Sequence, residues 1–282
     1  MSRWIFRGLR TGVRTTTFPA ATVVGEEGAP SAVRLSWQGL TPGQALAAAA
    51  TCPTAAIEAA GTEAAGELRF DAGACILCGR CTREFPTAFK GVADPRVGVR
   101  SRDQLRSTIR WGPSHAPAPV ALTRAAAAVE EGGRRLFRRS LHIRHIDAGS
   151  CNGCESELQM LNAPTADLQR LGLFFTPTPR HADLLLVTGV VTSNMRQPLL
   201  DTYRAMPAPK LVVAAGACAI SCGSFSASPT VVGPLDQWLP VDAYVPGCPP
   251  TPEAILHGIL LALGRASERY RADGEGAGRD GA

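Results

Sequence analysis

The chain of 282 residues predicts an α/β fold: a parallel sheet with helices on both faces in its C-terminal half, preceded by a smaller domain. Three observations lead there. Short apolar runs at residues 141–146, 184–188, 211–215 and 243–245 alternate with helical patterns, as βαβ units require. The middle two runs are almost continuous Leu, Val and Ala, the mark of strands buried on both faces. Cysteines fall on the loops just after these strands, where open parallel sheets hold their ligands.

Residues 1–92 are short, turn-rich segments with an Ala-rich stretch and four cysteines, and form the first domain. Its first 25 residues hold four arginines and no acid, with Trp4, Ile5, Phe6 and Leu9 between them. That composition suits an organellar transit peptide or an amphipathic segment lying on a membrane or partner. Residues 93–140 carry no cysteine and read as a linker. Within it, 120–131 reads as a helix that stops at Gly132-Gly133, ahead of the basic run 134–139. Residues 141–266 form the sheet domain. A helix is expected over 195–204 and a last one over 252–265, with Pro252 near its start. Residues 267–282 are Gly, Asp, Glu and Arg with little apolar content, and read as a disordered tail.

With 45% hydrophobic and 19% charged residues, the chain can bury a substantial core. Net charge is +5, and all of the 29 basic residues except Lys90 and Lys210 are arginine. The arginine clusters at 3–14 and 134–144 read as solvated or subunit-facing. No helix-turn-helix, zinc-finger or RNA-recognition signature accompanies them, so nucleic acid is not an expected partner. No stretch of about 20 residues is apolar and charge-free in the way a spanning helix requires. Residues 211–235 lack charge, but their Gly, Ser and Pro suit turns, so any membrane association would run through a partner. Neither a G-x-G-x-x-G turn nor a P-loop is present, which argues against NADH or ATP as a ligand. Nine cysteines, an odd number, without a secretory apolar region point to a reducing compartment and to metal or redox chemistry.

Cys75, Cys78 and Cys81 sit in Ala-Cys-Ile-Leu-Cys-Gly-Arg-Cys, three-quarters of the bacterial ferredoxin run. The fourth ligand of that run precedes a proline, and here position 85 is Phe although Pro86 is in place. In two-cluster ferredoxins the Cys-Pro cysteine serves the other cluster. Upstream lies a lone Cys52-Pro53, and counting back from it by the same spacing reaches Ala48, Ala45 and Pro42, none of them ligands. The defects complement each other: Cys52, Cys75, Cys78 and Cys81 complete one 4Fe-4S cluster, and the second set is lost altogether. Residues 40–92 therefore read as a two-cluster ferredoxin reduced to one. The alternatives are a four-cysteine zinc site, although zinc prefers separated pairs, or buried structural thiols.

Of the other five cysteines, Cys151 and Cys154 follow the first strand, Cys218 the strand at 211–215 and Cys248 the strand at 243–245. Three loops thus bring four thiols to one sheet edge, the demand of a second 4Fe-4S cluster. Cys222 is surplus, a buried thiol or the alternative ligand to Cys218. Glu157 is a candidate proton relay or a carboxylate favoured by a helix N-terminus. Arg180, His181 and Asp183 are candidates for tuning the cluster or lining an interface, with Asp183 alternatively capping a turn. His142 and His145 lie in the first strand and read as structural.

Four segments carry a family resemblance: Cys-Asn-Gly-Cys-Glu-Ser-Glu (151–157), Pro-Arg-His-Ala-Asp-Leu-Leu-Leu-Val-Thr-Gly (179–189), Ala-Pro-Lys-Leu-Val-Val-Ala-Ala-Gly-Ala-Cys-Ala (208–219) and Val-Asp-Ala-Tyr-Val-Pro-Gly-Cys-Pro-Pro (241–250). Residues 141–266 resemble the small iron–sulfur subunit shared by respiratory complex I and the membrane-bound, energy-converting nickel–iron hydrogenases. The resemblance implies a flavodoxin-like fold, a 4Fe-4S cluster ending an electron wire, and docking against a large catalytic subunit. It also implies an upstream electron donor protein, and a cytoplasmic position peripheral to the inner membrane face through partner subunits. Residues 1–92 resemble, less strongly, the ferredoxin-like α+β subunit of the same complexes. Trp4-Ile-Phe-Arg-Gly-Leu-Arg-Thr-Gly with Thr17-Phe-Pro looks like its lead segment, which favours the amphipathic reading over a transit peptide. Two departures stand out. Ordinary members of that subunit carry two clusters where this chain keeps one. Complex I proper usually has adjacent cysteines where this chain has Cys151-x-x-Cys154, a spacing closer to the hydrogenase branch. The expected function is electron transfer through two 4Fe-4S clusters to or from a large subunit, of hydrogenase type or, alternatively, of the quinone-reducing complex I type. A free carrier and a redox sensor are the readings from other classes.

Overall fold

The computed structural model describes residues 6–7, 10–11, 30–36, 40–112, 140–163, 166–270 and 272. Most of the lead segment, the helix expected over 120–131 and the basic run 134–139 lie outside the described residues.

The N-terminal domain holds two small antiparallel sheets. Strand β1 (Ala32–Leu35) pairs with β4 (Phe89–Val92), and β3 (Gly66–Asp71) lies between β2 (Ile57–Gly61) and β5 (Arg106–Trp111). Helix α1 (Pro42–Thr51) starts at a capping box: the Gln44 amide donates to Thr41 Oγ1 and the Thr41 amide to Gln44 Oε1. It stops at Cys52, which Pro53 holds in extended backbone. The Cys-Pro pair thus ends the helix and turns a thiol out of it. Ala45 and Ala48, on α1, are fully buried, and Phe85 packs on the same core at the end of α2 (Arg80–Glu84). Apolar side chains fill the positions where a second cysteine set would stand.

The expected boundary at residue 92 moves. Strand β5 completes the sheet of β2 and β3, with Ser107, Ile109 and Trp111 buried in alternation, so the N-terminal domain runs to the end of that strand. Segment 93–112 is part of a folded unit because its strand fills a vacant sheet edge.

The C-terminal domain is a five-stranded parallel sheet of β6 (Leu141–Asp147), β7 (Leu173–Phe175), β8 (Leu184–Thr188), β9 (Leu211–Ala215) and β10 (Ala243–Val245). Its order is β10-β9-β8-β6-β7, which is the flavodoxin-like order, with the switch point between β6 and β8. Every residue of β8, β9 and β10 is buried. Helices α3 (Gly153–Met160), α4 (Ser193–Ala205), α5 (Ala217–Ser221) and α6 (Pro252–Ala262) complete it. Strand β7, of three residues, was not anticipated, and helix α3, foreshadowed only by the helix N-terminus that would favour Glu157, starts on a left-handed Asn152 without a side-chain cap.

The two domains share a core. Val99 and Tyr244 exchange backbone hydrogen bonds of 3.0 and 2.8 Å, adding an antiparallel bridge beside β10 and covering that sheet edge. Helix α6, buried from Ala254 to Ala262, is accordingly apolar on all sides except at His257. The tail expected to be disordered from Ser267 is anchored at its start. Tyr270 is 1% exposed and donates its hydroxyl to Val33 O, Leu35 N donates to Ala272 O, and Glu268 accepts from Arg100 N and Gln104 Nε2. One large aromatic buried in the N-terminal core outweighs the polar composition around it.

His257 locks this junction. It is 1% exposed, its Nδ1 accepts from Gly98 N at 3.2 Å, and its Nε2 lies 3.1 Å from Ser267 O. Both bonds are met only by the neutral ring with its proton on Nε2. Burial holds its pKa below the ordinary 6.5; the Ser267 carbonyl and Asp94 oppose this, and Arg96 and Arg269 reinforce it. The unfolded chain therefore binds protons below about pH 6.5 that the folded chain refuses, so stability is full above that pH and falls as pH drops through it. Thermal melts from about pH 8 to about pH 5 are expected to show this loss, with a shallower slope in His257→Gln. Equal slopes in the two proteins would exclude His257 as the source.

Candidate functional site

The N-terminal thiols meet around one cavity. Cys52 comes from the end of α1; Cys75, Cys78 and Cys81 come from the loop after β3 and the start of α2. Ile57, Phe70 and Val33 form its apolar wall. The loop needs left-handed backbone at Leu77 (φ 56°) and Gly79 (φ 72°). This turn aims the Leu77 amide at Cys75 Sγ, at 3.4 Å. Burial pushes the Cys75 thiol up from 9.0 to about 12, and the charges of Cys81, Cys52 and Cys78 add to it. Burial, then Cys52 and Cys78, take Cys81 to about 11. Four thiols thus line one cavity, with Cys75 and Cys81 poorly solvated, so that ionised forms would repel one another unless a cationic centre joined them.

The second set gathers at the carboxyl edge of the parallel sheet. Asp147, at the end of β6, accepts from the amides of Gly149 and Ser150 through Oδ1, and this turn leads to Cys151. Gly149 (φ 139°) and Gly189 (φ 75°) let the loops after β6 and β8 touch: a Cβ on Gly189 would lie 2.6 Å from the Gly149 carbonyl carbon. Cys154 is buried in the first turn of α3. The loop after β9 is tied to the loop after β10, with Gly216 N donating to Val245 O and Ala217 N to Gly247 O. That places Cys218 beside Cys248. Burial pushes Cys218 up to about 12, reinforced by Cys248, Cys151, Cys222 and Glu155. Cys154 is raised further by burial, then by Glu155, Cys218, Cys248 and Cys151. Among the described residues, no three Cys, His, Asp or Glu side chains converge on a single point as one metal ion would require. The N-terminal set instead lines a cavity, an arrangement suited to a polynuclear centre in which each thiolate binds its own iron.

Gly216 is the tightest point of this edge. At φ 92° and ψ 153° it occupies a region open almost only to glycine, and a Cβ there would come within 2.8 Å of Cys154 Sγ. Gly216→Ala is expected to lower stability by about 1–3 kcal/mol. It should also reduce the iron held at this edge, read by thermal melting and iron content. Wild-type values in both would mean that the loop has slack.

The remaining predicted residues are sorted by position. Cys222 ends α5 in left-handed backbone (φ 69°) and packs with Cys218, Val190 and Val231; burial and Asp236 raise it. Glu157 lies on α3, where burial and Glu253 on α6 raise its pKa. Arg180, His181 and Asp183 stand at the amino end of β8, the opposite end of the sheet from the cysteine loops. There Asp183 accepts from His142 N at 2.8 Å and joins β6 to β8 as a structural tie. His142 stacks on Phe174.

The carboxylate beside the thiols is Glu155, which the sequence pattern did not single out. It accepts from Ser150 Oγ at 2.6 Å and from Thr188 Oγ1, and lies 3.7 Å from His145 Nε2, which is itself 2.8 Å from Thr188 Oγ1. Burial holds the His145 pKa down, while Glu155 and Asp147 pull it up. Adjacency to Cys154 was the available signal; Thr188 and His145 join only through strand pairing of β6 with β8.

Comparison with known proteins agrees with this architecture. Residues 151–262 match the family described as NADH ubiquinone oxidoreductase, 20 Kd subunit. The chain is 41% identical over 160 residues to formate hydrogenlyase subunit 7 of Escherichia coli, covering 57% of this chain and 63% of that protein. It is 44% identical over 139 residues to the probable membrane-bound hydrogenase subunit mbhJ of Pyrococcus furiosus, covering 49% and 83%. It is 42% identical over 125 residues to an NADH-quinone oxidoreductase subunit of Citrifermentans bemidjiense, covering 44% and 73%. Among the described residues no helix is long and apolar enough to cross a membrane. The chain belongs to the 20 Kd subunit family of NADH ubiquinone oxidoreductase, and the three relatives named above are subunits of oxidoreductase complexes.

Proposed function

We infer that this chain is the electron-transfer subunit of a membrane-associated oxidoreductase and binds two 4Fe-4S clusters. The observation that carries the reading is the gathering of eight of the nine cysteines into two four-thiol sets, one per domain. Bound there, the clusters supply one-electron redox chemistry. Cys52, Cys75, Cys78 and Cys81 hold the first, and Cys151, Cys154, Cys218 and Cys248 the second. Buried Val33, Ile57 and Phe70 wall the first site on one side, and backbone amides such as that of Leu77 stabilise sulfur charge and tune potential. Fusing both sets in one chain fixes their separation and removes a docking step.

The partners follow from the relatives: a large catalytic subunit on the sheet-edge site, membrane subunits reached through it, and an upstream donor protein. The complex then sits at the inner face of the cell membrane. The spaced Cys151-x-x-Cys154 pair supports the nickel–iron hydrogenase branch. The 42% identity to an NADH-quinone oxidoreductase subunit supports the quinone-reducing branch as the second reading. Purifying the native complex tests the choice. A large subunit with two CxxC motifs and bound nickel is expected, and its absence would sink the hydrogenase assignment.

A further inference from the structure

The two thiol sets are linked by one chain of polar contacts. On the N-terminal side, Thr54 Oγ1 donates to Ala74 O at 3.0 Å and lies 3.8 Å from Cys52 Sγ. Ala74 directly precedes Cys75. One residue back, Gly73 O accepts from Ser221 Oγ at 3.0 Å. Ser221 closes α5, the helix that carries Cys218. Its Oγ also lies 3.0 Å from Ala217 O, and accepts from Gly223 N at 3.3 Å. Ala217 directly precedes Cys218.

The approach is built into the backbone. A Cβ on Gly73 would lie 2.7 Å from Ile220 Cγ2 and 2.8 Å from Arg102 Nη1, so a side chain there would push against α5 through Ile220 and displace the Arg102 guanidinium. Asp71 holds the loop in place: its Oδ1 accepts from Gly73 N at 2.8 Å, and its carboxylate takes a two-pronged ion pair from Arg102. Among the described residues, other hydrogen bonds from the N-terminal domain reach the sheet domain through Gly98, Val99 and Arg100, and the C-terminal segment through Val33, Leu35, Arg100 and Gln104, none of them adjacent in sequence to an N-terminal cysteine.

We propose that the Gly73–Ser221 contact is the electron crossing between the two clusters, with Gly73 and Ser221 as its positioning residues. This rests on the two-cluster reading. In the step, one electron leaves the reduced cluster of one domain, which is oxidised by one, and arrives at the other, which is reduced by one. No bond forms or breaks and no proton moves. The reductant is a low-potential one-electron donor.

The test uses the full chain in its purified complex, with a photoreduced flavin as the donor. The rate of electron redistribution between the clusters and their magnetic coupling by EPR are both read. Ser221→Ala is expected to slow redistribution several-fold while iron content and coupling stay at wild-type values, and Ser221→Thr, which keeps the hydroxyl, to restore the rate. Gly73→Ala is expected to slow it and to weaken the coupling, because the loop moves away. A merely structural Ser221 would shift the melting temperature and leave the rate alone. An unchanged Ser221→Ala rate, with iron near eight per chain, overturns the crossing only. Iron near four per chain in the wild type overturns the two-cluster reading and the crossing with it.

Discussion

Cys52→Ala is expected to cut the iron and acid-labile sulfide of the chain from about eight of each to about four. The effect is large because a cubane needs all four thiolates, and the loop around Cys75 has no substitute. Phe85 occupies the position from which the usual fourth ligand would come, and it is packed on the core. Cys52 reaches the site only because Pro53 stops α1 there, so the change removes a ligand without altering the helix-ending signal. The EPR signal of the sheet-edge cluster should survive, since its four thiols lie in the other domain. Full iron retention in the variant would show that the N-terminal set does not bind as proposed. Zinc in place of iron in the wild type would show that the centre is of another kind.

Cys218→Ala and Cys222→Ala form the second expected contrast. Loss of Cys218 should remove the sheet-edge cluster, while loss of Cys222 should leave both clusters and cost about 1–2 kcal/mol from the small cavity it opens. The distinction comes from the backbone. Gly216 and Ala217 are bonded to the loop after β10, which places Cys218 where Cys248, Cys151 and Cys154 also act on it. Cys222, at the far end of α5, is raised by burial and by Asp236, on a different loop. Iron content and thermal melting of the two variants read the difference directly. Cluster loss in Cys222→Ala with retention in Cys218→Ala would exchange their roles.

Much of the sheet domain was legible from local pattern. Runs such as Leu-Leu-Leu-Val-Thr have the short, continuous apolar pattern of a buried strand, and the observed β8, β9 and β10 occupy the expected residues. Elements shorter than about one period were not legible: β7 is a three-residue strand that exists because β6 offers it an edge. Strand β5 carries a clear alternation, but its membership in the N-terminal sheet depends on pairing with β3, far back in the chain. The tail shows the reverse error. Its composition is that of a disordered segment, yet Tyr270 finds a pocket against Val33 that no local window contains.

The nature of the site divides the same way. Cysteine spacing, the lone Cys-Pro and the strand-end positions were enough to point to the chemistry and nominate eight ligands, because ligand type and spacing are properties of the chain itself. Which carboxylate faces the thiols, which end of the sheet His181 and Asp183 occupy, and where the two domains touch were decided by tertiary structure. Those are contacts between residues distant in sequence, set by strand order and by the close approach of Gly73 to α5. Local pattern carries no information about such pairings until the sheet has been assembled.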